Sequence, residues 1–377
     1  MKKVVLIAEA MLGGIRQHVF DIARELNKEE FQVYLIYSDE RADEKFFEEI
    51  KEFGKSVELI KCNEMQRSLG WHDVIAYKKI KQLLKDIQPD IVHCHSSKAG
   101  VVGRLAAKKC NVPLILYTPN AYAFQSPECS IMKKWLYIWA ERYLSRNACS
   151  MTINVSEGEM NKALEYKVDK PEKFTLIYNG IPQIDIPDRT VLRSKLVLRQ
   201  DIQYVGFTGR CAKQKDPMTF LNIAKQVISL RDDVEFLYIG DGDLEDSMLE
   251  WIRQNKLSEK IHMLGFRIDS AEIVGALDIY LSTALYEGLP YSMIEAMRAG
   301  VPIIATNCIG NNELVMEGKN GYMFEIGDVQ KGAELIVKQI TKNTLTSEAI
   351  KETFMINFSL ERAMYKLTNV YSGSSLN

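Results

Sequence analysis

What this chain lacks narrows it first. Its seven cysteines, at positions 62, 94, 110, 129, 149, 211 and 308, form no C-x-x-C pair or other metal-ligand spacing, and their number is odd. That argues against a zinc ribbon and against a disulfide scaffold, and fits a reduced cytosol. No apolar run approaches the ~18 residues that span a bilayer, which argues against an integral membrane protein. The opening "MKKVVLIAEAMLGG" imitates a short signal peptide, but Glu9 interrupts it and no small-x-small cleavage site follows, so a first buried strand is expected there. Net charge is only −2, which argues against a general polyanion or nucleic-acid binder. The spaced G-x-G-x-x-G of dinucleotide binders is also missing, leaving a nicotinamide-dependent oxidoreductase without its phosphate cradle.

What is present is a long alternation of short apolar runs with helical patterns. From "KKVVLIAEA" through a helix near 15–27, "FQVYLIYS" and onward to "FTLIYNG", the pattern predicts a parallel, doubly wound sheet. It breaks at "NGIPQIDIPDRT", where two prolines and a glycine without helical periodicity mark a linker. A second alternating series starts at "QYVGFTG". The expected class is α/β, two Rossmann-like doubly wound domains facing a cleft, over residues 1–183 and 184–357, with a C-terminal helix in 358–377 crossing back to complete the first.

The stretch "STALYEGLPYSMIEAMRAG" puts Glu287 just before a helix start and Glu295 inside the helix. Pro290 suits the first helical position and Gly300 the left-handed position past the end, so a helix over 290–299 is expected, fed by the strand "ALDIYLSTA". Helix starts attract anions, because their first N–H groups lack intrahelical partners and the positive dipole end lies there. Two carboxylates at such a place need an explanation. Positive charge nearby would supply one: "GRCAKQKDP" follows the strand "YVGFTG" and carries Arg210 and Lys215, a guanidinium fork and a mobile ammonium suited to a diphosphate. With a nucleotide diphosphate-sugar across the helix start, Arg210, Lys215 and the amides around Gly288, Leu289, Tyr291, Ser292 and Met293 would meet the phosphates. Glu295 would accept both hydroxyls of a ribose, and Glu287 would lie beside the sugar. The plainer alternative is that Glu287 caps the helix, Glu295 faces water, and Arg210 and Lys215 are solvated loop residues.

Three other features each admit a structural and a functional reading. Gly13 and Gly14 precede a helix in "LGGIRQHVF" and let backbone amides approach a phosphate or sugar, or simply make a turn. His93 and His95 lie two apart on one strand face, with no third metal ligand at useful spacing, and read as core or supporting histidines. Asp241 and Asp243 in "GDGDL" fall between a strand and a helix, where Gly and Asp serve turn and cap.

On "EGLPYSMIEAMRAGVPIIAT", "GRCAKQK", "NVSEGEMNKAL", "IYNGI" and "NELVMEGKNGYMF", the chain resembles glycosyltransferase family 4, retaining enzymes of the GT-B fold, over nearly its whole length. The resemblance implies a donor held mainly by the C-terminal domain, an acceptor held mainly by the N-terminal domain, and no required metal or other cofactor. By position it makes Glu295 the ribose-binding glutamate, Glu287 the glutamate beside the donor sugar, and Arg210 with Lys215 the diphosphate pair. It also implies same-face substitution, in which the leaving phosphate helps deprotonate the acceptor hydroxyl. The expected partners are a nucleotide diphosphate-sugar, with UDP favoured as the nucleotide, and a glycan or polyprenyl-linked acceptor of cell-surface polysaccharide synthesis. A nucleotide-sugar epimerase or phosphorylase of the same fold, or a non-catalytic sugar-binding subunit, are the alternatives. In "LYTPNAYAFQ" Asn120 stands where the family usually carries a histidine near the donor sugar, so the transferred sugar is left open. Finally, "MKKWLYIWAERYLSRN", residues 132–147, mixes aromatic with basic residues, which can seat a helix on a membrane surface or pack a core with a solvated rim. The expected location is cytoplasmic, with attachment to the inner face of the membrane an open extension.

Overall fold

The computed structural model describes residues 1–54, 56–68, 70–125 and 129–373. The first half runs β1 (Lys2–Ala8), α1 (Gly13–Glu25), β2 (Phe31–Tyr37), α2 (Glu44–Glu49), β3 (Val57–Lys61), α3 (Trp71–Ile87), β4 (Ile91–His95), α4 (Ser97–Lys109) and β5 (Leu114–Thr118). It continues with α5 (Ile131–Ala148), β6 (Met151–Asn154), α6 (Glu157–Glu165) and β7 (Phe174–Leu176). The second half runs α7 (Arg189–Lys195), β8 (Gln203–Thr208), α8 (Pro217–Leu230), β9 (Val234–Ile239), α9 (Glu245–Gln254), β10 (Ile261–Met263) and α10 (Ser270–Ala276). Then come β11 (Ile279–Ser282), α11 (Tyr291–Ala299), β12 (Ile303–Thr306), α12 (Asn311–Leu314), β13 (Gly321–Phe324), α13 (Val329–Lys342), α14 (Ser347–Asn357) and α15 (Leu360–Ser372).

Every strand pairing within the two sheets is parallel, in the orders β3-β2-β1-β4-β5-β6-β7 and β10-β9-β8-β11-β12-β13. Parallel strands covered on both faces need apolar side chains in both directions, and β1 shows it. Val5 and Ile7 enter one core with residues of α3 and α4, while Val4, Leu6 and Ala8 enter the other with α1. The second core also takes Leu360, Met364, Leu367 and Tyr371 of α15. The last helix therefore packs into the first sheet's layer, and the chain divides into one unit of 1–179 with 360–377 and another of 180–359. The sequence reading put these limits at 183/184 and 357/358.

Some elements differ from expectation for local reasons. Gly13 and Gly14 do not precede α1 but open it, with Gly13 in a left-handed conformation, φ +53, at the first position. Pro290 is the N-cap of α11, not its first helical residue, since its ψ of 118° is extended. Asp243 does not cap α9, whose N-cap is Leu244 with no side-chain bond. The short α7 begins inside the stretch taken as linker, and α14 is entered through Thr346, whose hydroxyl accepts the Ala349 N–H. Among the described residues no helix is long and apolar enough to cross a membrane.

At the carboxyl end of β4, His93 is fully buried, its ring nitrogens facing Tyr371 Oη and Thr118 Oγ1, each at 2.8 Å. His95 is equally buried, its ring 4.1 Å from that of His93 and 5.3 Å from that of His18. Burial lowers His18 to about 4 and holds His93 and His95 well below the ordinary imidazole range. The unfolded chain thus binds protons below about pH 6.5 that the folded chain refuses, and stability falls as pH drops through that value. The slope is up to about 1.4 kcal/mol per pH unit for each histidine. Asp21, pushed up to about 7 by burial, opposes this as one group against three. Hydrogen exchange of β1 and β4 amides should give a lower opening free energy at pH 5.5 than at pH 7.5. Equal values would show that the three rings take protons without unfolding.

Candidate active site

In the second sheet the strand order reverses between β8 and β11, which are direct neighbours. Chains leaving the carboxyl ends of two such strands run to opposite sides, and the gap between them is where open α/β sheets hold ligands. The loop after β8 carries Arg210 and Lys215; the loop after β11 carries Glu287, and α11 carries Glu295. All four predicted charged residues therefore lie on the two connections that flank the reversal.

Lys215 donates to Glu287 Oε1, and both side chains are largely buried. Glu287 is not a helix cap, because Pro290 holds that position without a side-chain bond. Gln214 Nε2 adds contacts to Tyr286 O at 3.0 Å and Glu287 Oε2 at 3.4 Å, and Leu285 N donates to Gln214 O at 2.8 Å. The β8 and β11 loops are thus stitched together by side chain and backbone. An ammonium has three protons, so Lys215 can hold Glu287 and still offer donors to a phosphate. Arg210 is exposed and has no carboxylate partner among the described residues, which leaves its fork available. Glu295 is half-buried in the second turn of α11.

Residues that sequence reasoning missed hold this arrangement. Tyr280 on β11 donates to Ser292 Oγ at 2.7 Å and lies 3.4 Å from the Thr208 N–H, tying the start of α11 to the end of β8. The predicted donor-site residue Ser292 is therefore also a structural anchor. Asn311 is fully buried, its amide nitrogen within 3.3 Å of Ser282 Oγ and of Thr306 O and Oγ1, which joins the ends of β11 and β12. Behind the Arg210 loop, Gly240 has φ +144, and a Cβ there would sit 2.1 Å from Gly209 O. Cys211 N donates to Asp241 O at 2.6 Å, and Leu244 N to Cys211 O at 2.9 Å. The "GDGDL" turn is thus backbone support for "GRCAKQK", and among the described residues no cluster of three or more His, Cys, Asp or Glu is placed to hold a metal ion. Gly310 backs the other loop: Glu287 N donates to Ile309 O at 2.9 Å, and a Cβ on Gly310 would lie 2.7 Å from Gly288 O. Leu289 is buried beside Pro290, and Tyr291 opens the helix half-exposed.

The first unit holds the remaining predicted residues. Gly13 donates its N–H to Asp43 Oδ2 at 2.7 Å, and Arg16 joins that carboxylate at 3.1 Å, so the Gly13 amide is committed to the fold. Gly14 is exposed beside it. Asn120 follows β5 in a left-handed conformation, φ +51, with its amide nitrogen buried and without a partner among the described residues. Ala121, also left-handed, donates its N–H to the fully buried Glu159. His95 and Ser96 share the Asn120 pattern, since buried ring nitrogens and hydroxyl at the neighbouring strand's carboxyl end have no hydrogen-bond partner among the described residues. Buried polar atoms left unmatched in this way mark a place built for a polar ligand or solvent. The bare sequence signal for His95 and Ser96 is their place at a strand end.

Similarity to known proteins fixes the family. Residues 12–183 match the model described as Glycosyltransferase Family 4, and residues 202–342 the one described as Glycosyl transferases group 1. The UDP-Gal:alpha-D-GlcNAc-diphosphoundecaprenol alpha-1,3-galactosyltransferase of Escherichia coli is 30% identical over 314 residues, 79% of this chain and 79% of that protein. The chain belongs to glycosyltransferase family 4. A second relative of this family 4 chain, the capsular polysaccharide biosynthesis glycosyltransferase CapM of Staphylococcus aureus, is 24% identical over 336 residues, 85% of this chain and 83% of that one. Among solved structures, HepE of Anabaena in complex with UDP and glucose superposes with a TM-score of 0.82 at 20% identity, covering 99% of this chain and 100% of that one. The fold of this family 4 glycosyltransferase is thus GT-B, with two Rossmann-like units. An enzyme of sugar transfer is what these findings show, and the epimerase, phosphorylase and non-catalytic alternatives are not favoured.

Gly310 offers a test of the bracing. Alanine there meets both a left-handed φ of +89 and the Glu287–Gly288 backbone, whereas Gly318, φ +74, has nothing within 4 Å. Both substitutions should cost about 1–3 kcal/mol of stability. Gly310→Ala alone should also lower kcat/KM for the sugar donor, by about tenfold or more if 1.4 kcal/mol of the strain reaches the site. Equal kinetics in the two variants would remove Gly310 from the site's support.

Proposed function

We propose that the enzyme moves a hexosyl group from UDP-sugar to a glycan carried on a polyprenyl diphosphate, with retention of anomeric configuration, at the cytoplasmic face of the membrane. The observation that carries this is the convergence of Arg210, Lys215, Glu287 and Glu295 on the two connections at the β8/β11 reversal. The choice of UDP and of a lipid diphosphate follows the E. coli relative, whose name specifies both, and the UDP complex of HepE. In this reading Arg210 and two N–H donors of Lys215 take the diphosphate, Glu295 takes the ribose diol, and Glu287 orients Lys215 while meeting a sugar hydroxyl. Asn120 offers its unpartnered amide to a hydroxyl, which unlike histidine it can do without a change of charge near neutral pH. The C–O bond to the phosphate breaks as the acceptor oxygen arrives on the same face, and the departing phosphate accepts the acceptor's proton. Stabilising that departing charge and positioning the reactants are the protein's share.

Transfer from UDP-sugars to a lipid-linked glycan, with the product's anomeric configuration read by NMR, tests the reading. An axial donor should give an axial product; UDP-sugar converted without acceptor would support an epimerase instead. Glu295→Gln and Lys215→Ala should keep the wild-type circular dichroism spectrum and lose about 2–4 kcal/mol of transition-state stabilisation, so wild-type kinetics in either variant would refute the assignment. Because protein cations meet the diphosphate in this proposal, activity should persist in EDTA. Loss in EDTA with rescue by manganese would contradict that part.

A further inference from the structure

α5 is a helix with its polarity reversed. At about 100° per residue, Ile131, Met132, Trp135, Leu136, Trp139 and Tyr143 share one arc of about 140°, and all six are exposed. Trp139 and Met132 are 63% and 83% accessible. The opposite face carries the buried Ile138, Leu144 and Ala148 together with Glu141, whose carboxylate takes Arg104 Nη2 at 2.8 Å and the Tyr117 hydroxyl at 3.1 Å. Turning the apolar arc inward would break that buried pair, so the arc is held towards the outside. Its cations are also held. Arg142 donates to Tyr166 O, Arg146 Nη2 to Lys167 O at 2.7 Å, and Lys134 lies 4.9 Å from the centre of the Tyr166 ring. Glu141, turned inward, is the one acidic residue of the helix.

Beside the start of α5 lies an open cavity of ≈ 680 Å³, lined by Arg41, Arg67, Lys133, Gln66, Ser68 and Tyr137, with Glu40 also in its wall. Arg41 is matched by Glu9 at 3.0 Å, while Arg67 and Lys133 have no carboxylate partner among the described residues. Immediately after this loop, the first turns of α3 expose Trp71, Val74 and Ile75. Lys98 ties the two together, bonding Ser68 O and Asp73 Oδ1 at 2.6 Å each. Two unmatched cations in a cavity, flanked by two sets of outward aromatic and aliphatic side chains, suit one kind of ligand: a phosphate group at the end of a hydrocarbon chain in a bilayer.

We infer that this cavity seats the diphosphate of the lipid-linked acceptor, with the exposed faces of α5 and of the start of α3 resting in the acyl boundary of the membrane. The inference rests on the lipid-linked acceptor proposed above and assigns it Arg67 and Lys133. Apolar insertion supplies the hold on the bilayer, and the two cations supply selection for a diphosphate over a single phosphodiester.

The test is sedimentation of the full chain with vesicles of phosphatidylcholine alone, with added phosphatidylglycerol, and with added polyprenyl diphosphate at matched charge. Wild type should bind the diphosphate vesicles about fivefold or more tightly than the phosphatidylglycerol ones, a difference of about 1 kcal/mol. Arg67→Gln with Lys133→Gln should erase that preference, and Trp135→Ser with Trp139→Ser should release the protein from both vesicle types. Equal wild-type binding to the two anionic vesicles, wild-type behaviour in both double variants, or burial of the α5 arc in a dimer seen by light scattering would each overturn the inference. Calorimetry with UDP keeps the two readings separate: absent vesicle selectivity with UDP bound defeats the acceptor seat alone, and absent UDP binding with selectivity kept defeats the donor assignment.

Discussion

The structure of the second unit depends on one topological constraint, the reversal of strand order between β8 and β11. Right-handed crossovers send the connection from β8 to one face of the sheet and that from β11 to the other. Their first residues cannot close over the strand ends between them, and whatever those residues carry is presented side by side. Here that means Lys215 against Glu287, with Gln214 reaching the same loop. Long-range sheet order has become short-range electrostatics.

The pairing also resolves why carboxylates stand at a helix start. An isolated carboxylate there would compete with an anionic ligand for the same amides, yet Glu287 is occupied by an ammonium and lies outside the helix. Glu295 sits past the first turn, where the dipole's pull has faded. In the proposed donor complex this leaves Arg210, the remaining protons of Lys215 and the amides of α11 to face the phosphates. Rigidity behind these groups comes from neutral contacts: Tyr280 to Ser292, Asn311 to Thr306, and the side-chain-free approach of Gly240 to Gly209. Preorganised groups of this kind stabilise developing charge without reorganising during the reaction.

The parts of this legible in the sequence were those written locally. Buried parallel strands appear as unbroken apolar runs, and Arg210, Lys215, Glu287 and Glu295 each sit next to strand or helix punctuation, so both the α/β alternation and the charged constellation could be read. What escaped is carried between distant positions. Gly310 looks like any loop glycine until the Glu287–Gly288 backbone lies against it, and Tyr280 reads as a core aromatic until its hydroxyl reaches Ser292. The Gly13–Gly14 pair shows the same limit: its first amide is bonded to Asp43, thirty positions away, which the local pattern does not reveal. The sequence of α5 left membrane surface and core equally open, because only the buried Glu141 shows which face turns inward.

In the proposed function the two loops at the β8/β11 reversal bind a nucleotide diphosphate through Arg210, Lys215 and Glu295. A crystal structure of the enzyme with UDP tests it most directly. Phosphate oxygens should lie within hydrogen-bond distance of Lys215 Nζ and the Arg210 guanidinium, and both ribose hydroxyls on the Glu295 carboxylate. Uridine diphosphate bound elsewhere, or bound here with its ribose turned away from Glu295, would contradict it.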